Sequence, residues 1–508
     1  MIRRRVSILL LAIVIVLTAC SDGATTTTAA STASSGAGDA APPAESTSTV
    51  APTTTTTTTL PPATDMRLIG AGDVAGLGDS RYPWLGNGGY DVQHYTLELT
   101  VLDDAPVLAG AAAVEAVAIE QLETFNLDFD PFEILSLTVD GEDAAYDQVD
   151  RELVITPATS IPGGEEFVVR IEYRGEPQPV PTEAIAFEVG WITAPNGTRY
   201  VVSEPDGASS WFPSNNHPLD KATYTFIVTA PTTLLPVANG TLVETITDLG
   251  ATTYIYEMPQ PMASYLATLV VGQLTTVDDT ASTAAAGVSI RNVLPPDLAA
   301  TPPTALGLQG EMVAFFADIF GDYPFDLYGI AVVPGFPAAL ENQTLSVFGD
   351  GIVNLPIFEF VLAHELVHQW FGNHISPGDW GDIWLNEGFA TYGEWLWLEH
   401  TEGPEALAAV TQGNRESMAA AEFPPPGDPP ANNLFNGAVY RRGGLTLHAL
   451  RLEIGDEAFF TTLRTYVDRF GGSTARTADF IAVAEEISGQ ELDDLFDAWL
   501  YAPDVPEL

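Results

Sequence analysis

The chain has 508 residues, of which 68 are acidic and 18 are Lys or Arg, so its formal net charge at pH 7 is −50. This composition argues against nucleic acid as a partner, because too few cations are available to neutralise phosphates along a groove. The single cysteine excludes an intramolecular disulfide and a cysteine-rich zinc site. A chain of this length exceeds one hydrophobic core and divides into two or three domains.

The first 19 residues have the pattern of an export signal. Three arginines open the segment, and the apolar run from Val6 to Ala19 is shorter than the roughly 20 residues that a membrane-spanning helix needs. The ending Leu-Thr-Ala-Cys resembles a bacterial lipoprotein box, in which cleavage precedes the cysteine and its thiol is lipidated. We therefore predict a signal peptide over residues 1–19 and a lipid on Cys20 that anchors an exported protein to the outer face of a bacterial cell membrane.

Residues 20–64 consist mostly of Thr, Ala, Ser, Gly and Pro, with almost no large apolar side chain. Such a segment cannot bury a core, so it is predicted to be a disordered tether that holds the folded part away from the membrane.

Residues 65–272 are predicted to form an antiparallel β-domain. Short runs of alternating apolar and polar residues recur here, typical of half-buried strands. The run His94 to Val101 places Tyr95, Leu97, Leu99 and Val101 on one face, and Phe167 to Tyr173 repeats the pattern. Turn signals such as Asp140-Gly141 separate the runs.

Residues 273–508 change to helical periodicity and are predicted to form a mostly helical domain. An amphipathic segment ends at Gly321, a suitable C-cap, and the strand-like run LYGIAVVP follows it. The predicted helices cover residues 306–321, the segment around 357–373, and residues 382–400, 443–454 and 478–499.

The segment IFEFVLAHELVHQWFGN contains the spacing H-E-x-x-H. On a helix, His364 and His368 project from one face, one turn apart, and suit a shared tetrahedral Zn²⁺. Glu365, beside the first histidine, can accept a proton from a water that the metal activates. The alternative is a pair of core histidines, but two unpaired imidazoles and a carboxylate would carry a desolvation cost there.

A catalytic zinc site needs a third protein ligand and an open fourth position. Glu387 is the candidate, because it lies on the next predicted helix with eighteen residues between it and His368. In this setting HELVHQWFGN and DIWLNEGFATY resemble the gluzincin zinc aminopeptidases of the membrane alanyl aminopeptidase type. The resemblance extends from about residue 88 to the C-terminus. Glu394, nearby in sequence, is a candidate for supporting a zinc ligand.

Two further segments carry the resemblance. The stretch Ala338-Ala339-Leu340-Glu341-Asn342 resembles the G-A-M-E-N exopeptidase motif of this family, and Val439-Tyr440-Arg441-Arg442-Gly443 resembles its V-Y-x-K-G segment. The resemblance implies that Tyr440 hydrogen-bonds the developing oxyanion and that Glu341 binds a free α-ammonium. Glu204, in Ser203-Glu204-Pro205, resembles a second amine-binding position.

Some positions depart from the family pattern. Ala338 and Leu340 replace the usual Gly and Met, Val202 stands where relatives often have Gln, and Arg442 replaces Lys. Ala338, Ala339 and Asn342 are expected to contact the substrate. The replacements at 202, 338 and 340 fall where the first side chain of the substrate should sit, so they affect preference and not reaction type.

The resemblance implies an α+β multidomain fold, with an N-terminal antiparallel β-domain packed on a thermolysin-like, mostly helical catalytic domain. It also implies one Zn²⁺ per chain, held by His364, His368 and Glu387. The sequence ends near the expected end of the catalytic domain, so the further helical domain of many relatives is expected to be absent. The expected activity is removal of N-terminal residues from peptides outside the cytoplasm.

Other functions remain open at this stage. The same zinc site could serve an endopeptidase or an epoxide hydrolase of the leukotriene-hydrolase kind, and the fold could serve a non-catalytic surface binding lipoprotein. Glu341, as an amine anchor, argues against the endopeptidase and only weakly against the epoxide hydrolase. Glu365 argues against the binding protein, because a binding module needs no general base.

Overall fold

The computed structural model describes residues 76–102 and 107–508. The predicted signal peptide, Cys20 and the predicted tether lie outside the described residues. Among the residues that are described, none of the helices combines the length and the apolar character that crossing a membrane requires.

The N-terminal half is built from three sheets. Its strands are β1 (Tyr90–Val101), β2 (Leu108–Ala118), β3 (Phe125–Asp128), β4 (Glu133–Val139), β5 (Glu142–Asp143), β6 (Ala145–Val149), β7 (Glu152–Thr156), β8 (Glu166–Gly175), β9 (Gly190–Thr193), β10 (Arg199–Val202), β11 (Lys221–Pro231), β12 (Leu235–Ala238), β13 (Thr241–Asp248), β14 (Ala251–Ala263) and β15 (Leu269–Gly272). The sheet orders are β13-β14-β11-β1-β2-β8-β4-β5, β12-β15-β10-β9 and β3-β7-β6.

The predicted alternation of buried and exposed residues is present in these strands. Tyr95, Leu97 and Leu99 of β1 are all buried, and so are Phe167 and Tyr173 of β8. Pairing is antiparallel except between β1 and β11, which run parallel. These two strands are far apart in sequence and are not joined by a hairpin, so their pairing is not constrained to be antiparallel.

The second half contains a small mixed sheet and most of the helices. Its strands are β16 (Thr275–Asp278), β17 (Ser289–Leu294), β18 (Leu327–Tyr328), β19 (Ile330–Val333), β20 (Ala339–Leu340), β21 (Ser346–Gly349), β22 (Ser376–Pro377) and β23 (Thr474–Ala475). Its helices are α1 (Thr280–Ala286), α2 (Pro296–Ala300), α3 (Gln309–Phe320), α4 (Phe358–Val367), α5 (Trp384–Glu402), α6 (Pro404–Ala420), α7 (Gly437–Ile454), α8 (Asp456–Phe470), α9 (Thr477–Ser488) and α10 (Asp493–Phe496). The main sheet has the order β16-β17-β19-β21-β20, with β18 beside β17.

The helices differ from the prediction in several places. The structure contains α1, α2, α6 and α8, which sequence reasoning did not predict. Helix α7 begins at Gly437, where the side chain of Asn436 caps its N-terminus, so Tyr440 lies inside a helix. The predicted helix at 478–499 is divided, because Gly489 adopts the left-handed conformation and ends α9.

Two glycines allow α5 and α7 to pack with their backbones in contact. A Cβ atom placed on Gly443 of α7 would lie 2.9 Å from the Cα of Gly388 on α5. A side chain at either position would force the two helices apart, so close packing here depends on glycine at both. Because Gly388 follows Glu387 and Gly443 is one turn after Tyr440, this crossing holds the Glu387 and Tyr440 segments close together.

Residues 76–85, which we call the N-terminal strap, precede β1 and lie on the catalytic domain. The carboxylate of Asp79 accepts a hydrogen bond from the backbone N–H of Trp380 at 2.7 Å. The hydroxyl of Tyr82 donates to the carbonyl of Ala431 at 2.8 Å. The β-domain is therefore attached to the catalytic domain by this strap as well as by the chain that follows β15.

Candidate active site

Helix α4 carries the H-E-x-x-H residues and is almost fully buried. His368 is its C-cap residue and donates its backbone N–H to the carbonyl of His364 at 3.2 Å, so the two imidazoles lie one turn apart. Their ring centroids are 4.8 Å apart. The helix therefore presents both rings from one face, as the spacing predicts.

The carboxylate of Glu387, in the first turn of α5, meets these two histidines. Its Oε2 atom lies 3.2 Å from Nε2 of His364 and 3.4 Å from Nε2 of His368. The three ligand atoms all lie within 4.8 Å of one another. The structure thus brings the three predicted metal ligands together, and two imidazole nitrogens with one carboxylate oxygen suit Zn²⁺ with an open position.

The other nitrogen of each imidazole is held by a second partner. Nδ1 of His364 lies 2.7 Å from the carboxylate of Glu394, and Nδ1 of His368 lies 3.1 Å from the carbonyl of Phe371. These contacts orient both rings with Nε2 towards the shared centre, which is the usual arrangement behind a metal-binding histidine. Glu394 therefore occupies the supporting position expected of it.

The ligand carboxylate is ionised despite its burial. Burial alone would raise the pKa of Glu387, but His368 and His364 hold it at about 2. Burial would lower the pKa of His364, but Glu387 and Glu394 raise it well above its ordinary value. The site is therefore strongly anionic in character and favours a cation at the point where these groups meet.

Glu365 is buried beside the ligands. Burial raises its pKa to about 8, although His364 and His368 act in the opposite direction. Its carboxylate, that of Glu341 and the imidazole of His368 have atoms within 4.8 Å of one another. Glu365 thus lies close to a metal ligand and to Glu341, within the reach that a general base of a hydrolase needs.

Glu341 and Glu204 face the same cleft from different domains. Glu341 follows β20 of the catalytic domain, and Glu204 follows β10 of the β-domain. Within residues 76–102 and 107–508, the Oε1 atom of each has no hydrogen-bond partner although it is buried. Burial raises the pKa of both carboxyls, and other carboxylates add to the shift. A cationic group bound between them would relieve this unfavourable burial.

The backbone of Glu341 is fixed by the end of the metal-binding helix. Its carbonyl accepts hydrogen bonds from Gln369 Nε2 at 3.0 Å and from Asn373 Nδ2 at 2.6 Å. Gln369 Oε1 also accepts from the backbone N–H of Thr344 at 2.8 Å. Thr344 has a φ of 67°, a conformation that L-residues seldom adopt, and these contacts stabilise it.

The turn that bears Glu204 is held by Arg151. The guanidinium donates to the carbonyl of Asp206 at 2.7 Å and to its carboxylate at 3.0 Å. It also donates to Ser209 Oγ at 2.6 Å and to Asp130 at 2.7 Å. One planar group therefore ties both ends of the turn to the loop after β3.

Tyr440 lines the cleft beside the metal position. Its ring stacks on that of His364, with centroids 6.0 Å apart and an angle of 20° between the planes. The neighbouring Arg442 points the other way, donating to the carbonyls of Trp499 and Ala502 at 2.7 and 2.6 Å. Arg442 thus anchors the C-terminal segment and does not line the cleft.

The cleft encloses about 860 Å³, including its mouth. Ala338 and Ala339 line it as expected, and Leu340 does as well. Among the described residues, Asn342 and Val202 are not part of the lining; the amide of Asn342 donates to a carbonyl of the β-domain at 3.2 Å. The structure therefore places Asn342 behind the wall, where it joins the two domains.

Three aromatic or aliphatic lining residues outside the predicted motifs were not predicted. Ile185 and Phe187 come from the segment between β8 and β9, and Phe435 precedes α7. None lies in a recognisable motif, and only long-range packing brings them to the cleft. The Pro-rich run before Ile185, which excludes regular strand pairing, is the one local signal of an irregular segment.

The fold and the two-histidine, one-glutamate site with its adjacent base define a zinc metallopeptidase of the gluzincin kind. The model of the Peptidase M1 N-terminal domain matches residues 91–266, and that of the Peptidase family M1 domain matches residues 304–499. The chain belongs to peptidase family M1. The family and the fold class predicted from the sequence are confirmed, and zinc is the metal of this family.

Solved structures and sequence relatives agree with this assignment. The M1 zinc metallopeptidase of Deinococcus radiodurans, as a mutant bound to a Tyr-Ser-Ala substrate, has a TM-score of 0.79 and 31% identity, covering 85% of this chain and 99% of that one. Aminopeptidase M1 of Arabidopsis thaliana is 29% identical over 325 residues, which are 58% of this chain and 36% of the relative. Glutamyl aminopeptidase of Rattus norvegicus is 28% identical, covering 58% and 33%. The chain thus spans about a third of the length of these two relatives.

Proposed function

We propose that this protein is a zinc-dependent aminopeptidase that removes N-terminal residues from peptides outside the cytoplasm. The observation that carries the proposal is the pair of buried carboxylates, Glu341 and Glu204, that face the cleft beside the metal-binding helix. A free α-ammonium between them would donate charge-assisted hydrogen bonds to both carboxylates. A peptide whose N-terminus is held there presents its first peptide bond to the metal position.

The chemistry follows from the residues around that bond. Bound at His364, His368 and Glu387, Zn²⁺ supplies a Lewis acid. Glu365 takes a proton from the attacking water and later gives it to the leaving amine. The phenol of Tyr440 donates a hydrogen bond to the oxyanion that develops on the scissile carbonyl.

A panel of aminoacyl 4-nitroanilides tests the activity. The purified chain with Zn²⁺ should release nitroaniline, and a chelator should abolish the release. N-acetylated versions of the same substrates should react at least about 100-fold more slowly, because an acetylated amine carries no charge to pair with buried carboxylates. Absence of chelator-sensitive release from every substrate would contradict the proposal.

The same panel separates the alternative functions. An endopeptidase would cleave acetylated and free substrates alike. An epoxide hydrolase would hydrolyse an epoxide, and a binding protein would hydrolyse neither an epoxide nor an anilide. Glu341→Gln keeps the shape of the anchor but removes its charge, so we expect it to slow free substrates while leaving acetylated ones unchanged.

The location outside the cytoplasm is part of the proposal and rests on the N-terminal sequence. A basic start, an apolar run too short to span a membrane and Leu-Thr-Ala-Cys support export followed by lipidation of Cys20. Expression in a bacterium with labelled fatty acid should label the wild-type chain and place it in the membrane fraction. Cys20→Ser should remove both the label and the membrane association; a labelled Cys20→Ser chain would contradict the anchor.

A further inference from the structure

The lining of the cleft divides into two kinds of surface. One is carboxylate, contributed by Glu204, Glu341, Glu365, Glu387 and Glu394. The other is apolar, contributed chiefly by Ile185, Phe187, Leu340, Val361 and Phe435. The aminopeptidase proposal uses the carboxylates for metal, base and amine. The apolar surface has no role in that proposal, and it is the part of the cleft left to receive a substrate side chain.

The apolar surface is held in place from both domains. The ring of Phe187 packs edge-on against Phe336, with centroids 5.3 Å apart and an angle of 89°. Phe336 in turn contacts Tyr200 of β10 at 6.0 Å and lies just before Ala338. Phe187 and Ile185 are only partly buried, so each keeps apolar area that faces the cleft. A bound apolar side chain would remove that area from water.

Charge in the cleft excludes one class of side chain. Among the described residues that line it, there is no Lys or Arg. A glutamyl or aspartyl side chain would therefore enter a space already lined by carboxylates, without a cation to pair with it. A Lys or Arg side chain would lose hydration wherever it lies against the apolar surface.

We infer that the apolar surface around Phe187 selects peptides whose first residue has a large apolar side chain, such as Phe or Leu, and that the cleft rejects acidic first residues. Ile185 and Phe187, supplied by the β-domain, are the specificity-determining residues. This inference rests on the proposed aminopeptidase function and names the substrate class for it.

The wild-type chain tests the inference directly. We compare kcat/KM for the 4-nitroanilides of Phe, Leu, Ala, Arg and Glu. Phe and Leu should exceed Ala by at least about tenfold, which is the effect of a few methylenes in an apolar pocket, and Glu should fall below Ala by at least about tenfold. Equal values for all five, or the highest value for Arg or Glu, would overturn the inference while the aminopeptidase proposal stands. No release from any substrate would overturn both.

Substitutions test which residues determine the preference for a large apolar first residue. Phe187→Ala should lower the ratio of Phe to Ala activity about tenfold, and Phe187→Leu should lower it less. Phe423→Ala removes a partly exposed ring outside the cleft and is the matched control, with an unchanged ratio expected. If Phe187→Ala does not fold, as judged from its melting temperature, Ile185→Ala carries the same expectation. An unchanged ratio in the folded variant would overturn the assignment to this surface.

Binding provides a readout that does not depend on turnover. In the Glu365→Gln chain, calorimetry with free L-phenylalanine and free L-glutamate should show at least about tenfold tighter binding of phenylalanine. Equal affinity, or tighter binding of glutamate, would overturn the inference. Removal of the preference by Phe187→Ala in the same background would support it.

Discussion

The catalytic domain contributes charged groups that are held by other charged groups, together with Leu340, Val361 and Phe435 of the apolar surface. The β-domain supplies one carboxylate and the part of the apolar surface formed by Ile185 and Phe187. His364, Glu387 and Glu394 hold each other within hydrogen-bond distance on two adjacent helices. Glu204 and Phe187 instead project from a turn and a loop. The first arrangement suits bond breaking and the second suits recognition. Variants in the two domains should therefore change different kinetic constants.

The largest effect is expected from Glu365→Gln. This change removes the base but leaves the metal ligands in place, so kcat should fall by about 10³-fold with little change in KM. Steady-state kinetics with Leu 4-nitroanilide measure this, and the zinc content of the purified variant is the control. A variant that keeps its zinc and more than a tenth of wild-type kcat would remove Glu365 from the proposed chemistry.

A smaller effect on the same constant is expected from Gly443→Ala. The new methyl would lie 2.9 Å from the backbone of Gly388, so α5 and α7 must separate and move Tyr440 relative to Glu387. Displacement of this kind should lower kcat by about 10–100-fold, and overpacking should destabilise the fold by about 1–3 kcal/mol. Gly351→Ala is the matched control, because nothing lies within 4 Å of the added atom. Equal behaviour of the two variants would contradict the role of the helix crossing.

On the β-domain side, Arg151→Ala should change KM. Without the guanidinium the turn that bears Glu204 loses three hydrogen bonds and its link to Asp130, so the amine anchor is displaced and KM should rise about tenfold with kcat nearly unchanged. Arg151→Lys should restore only part of the affinity, because an ammonium cannot reproduce the planar fork. Arg170→Ala, which breaks an exposed ion pair with Glu98, should leave KM unchanged. A fall in kcat alone would contradict the assignment.

The smallest effect concerns stability alone. Asp128 and Glu152 are paired across β3 and β7. The side-chain Nδ2 of Asn87 donates to the carboxylate of Asp128 at 3.2 Å and to that of Glu152 at 3.3 Å. Burial raises the pKa of Glu152 to about 8, so the folded chain retains a proton that the unfolded chain loses near pH 4. The contribution of this pair to the free energy of unfolding is therefore fully present below about pH 4, and it is lost as the pH rises through about 8.

Glu152→Gln should weaken this pH dependence without changing KM. We would compare urea midpoints at pH 5 and pH 8.5 in the wild type and the variant, with Glu166→Gln on an exposed position of β8 as the control. The wild type and the control should lose more stability at high pH than Glu152→Gln. An equal loss of stability between pH 5 and pH 8.5 in all three proteins would contradict a shared proton at this pair.

The local sequence pattern was enough to predict the metal-binding and catalytic residues. It did not predict the residues that hold them in place. His364, Glu365 and His368 are set by helical spacing, and strand alternation identifies the β-domain. By contrast, Arg151 and Glu204 are 53 positions apart, and only the fold shows that they belong together. The contact between Gly388 and Gly443 likewise cannot be predicted from the local sequence, because glycine within a helical segment only indicates a low helix propensity.

The roles assigned to single residues show the same limit. Asn342 lies in a motif that resembles a substrate-binding segment, yet its amide faces the β-domain. A motif specifies which residues occur together along the chain, and it does not specify which of them face the cleft. Phe187 is the opposite case, because it faces the cleft without belonging to any motif.

The N-terminal strap has a mechanical consequence. Two bodies joined by one connector can swing about it, whereas a second attachment at a distance removes that freedom. Asp79 and Tyr82 make one such attachment in addition to the contact of Asn342 with the β-domain, and Tyr82 reaches the segment that leads to Phe435. The gap between the domains is therefore braced at both ends, so the width of the cleft is set when the chain folds. A proteolytic cut near Gln273, between β15 and β16, should leave the two fragments associated.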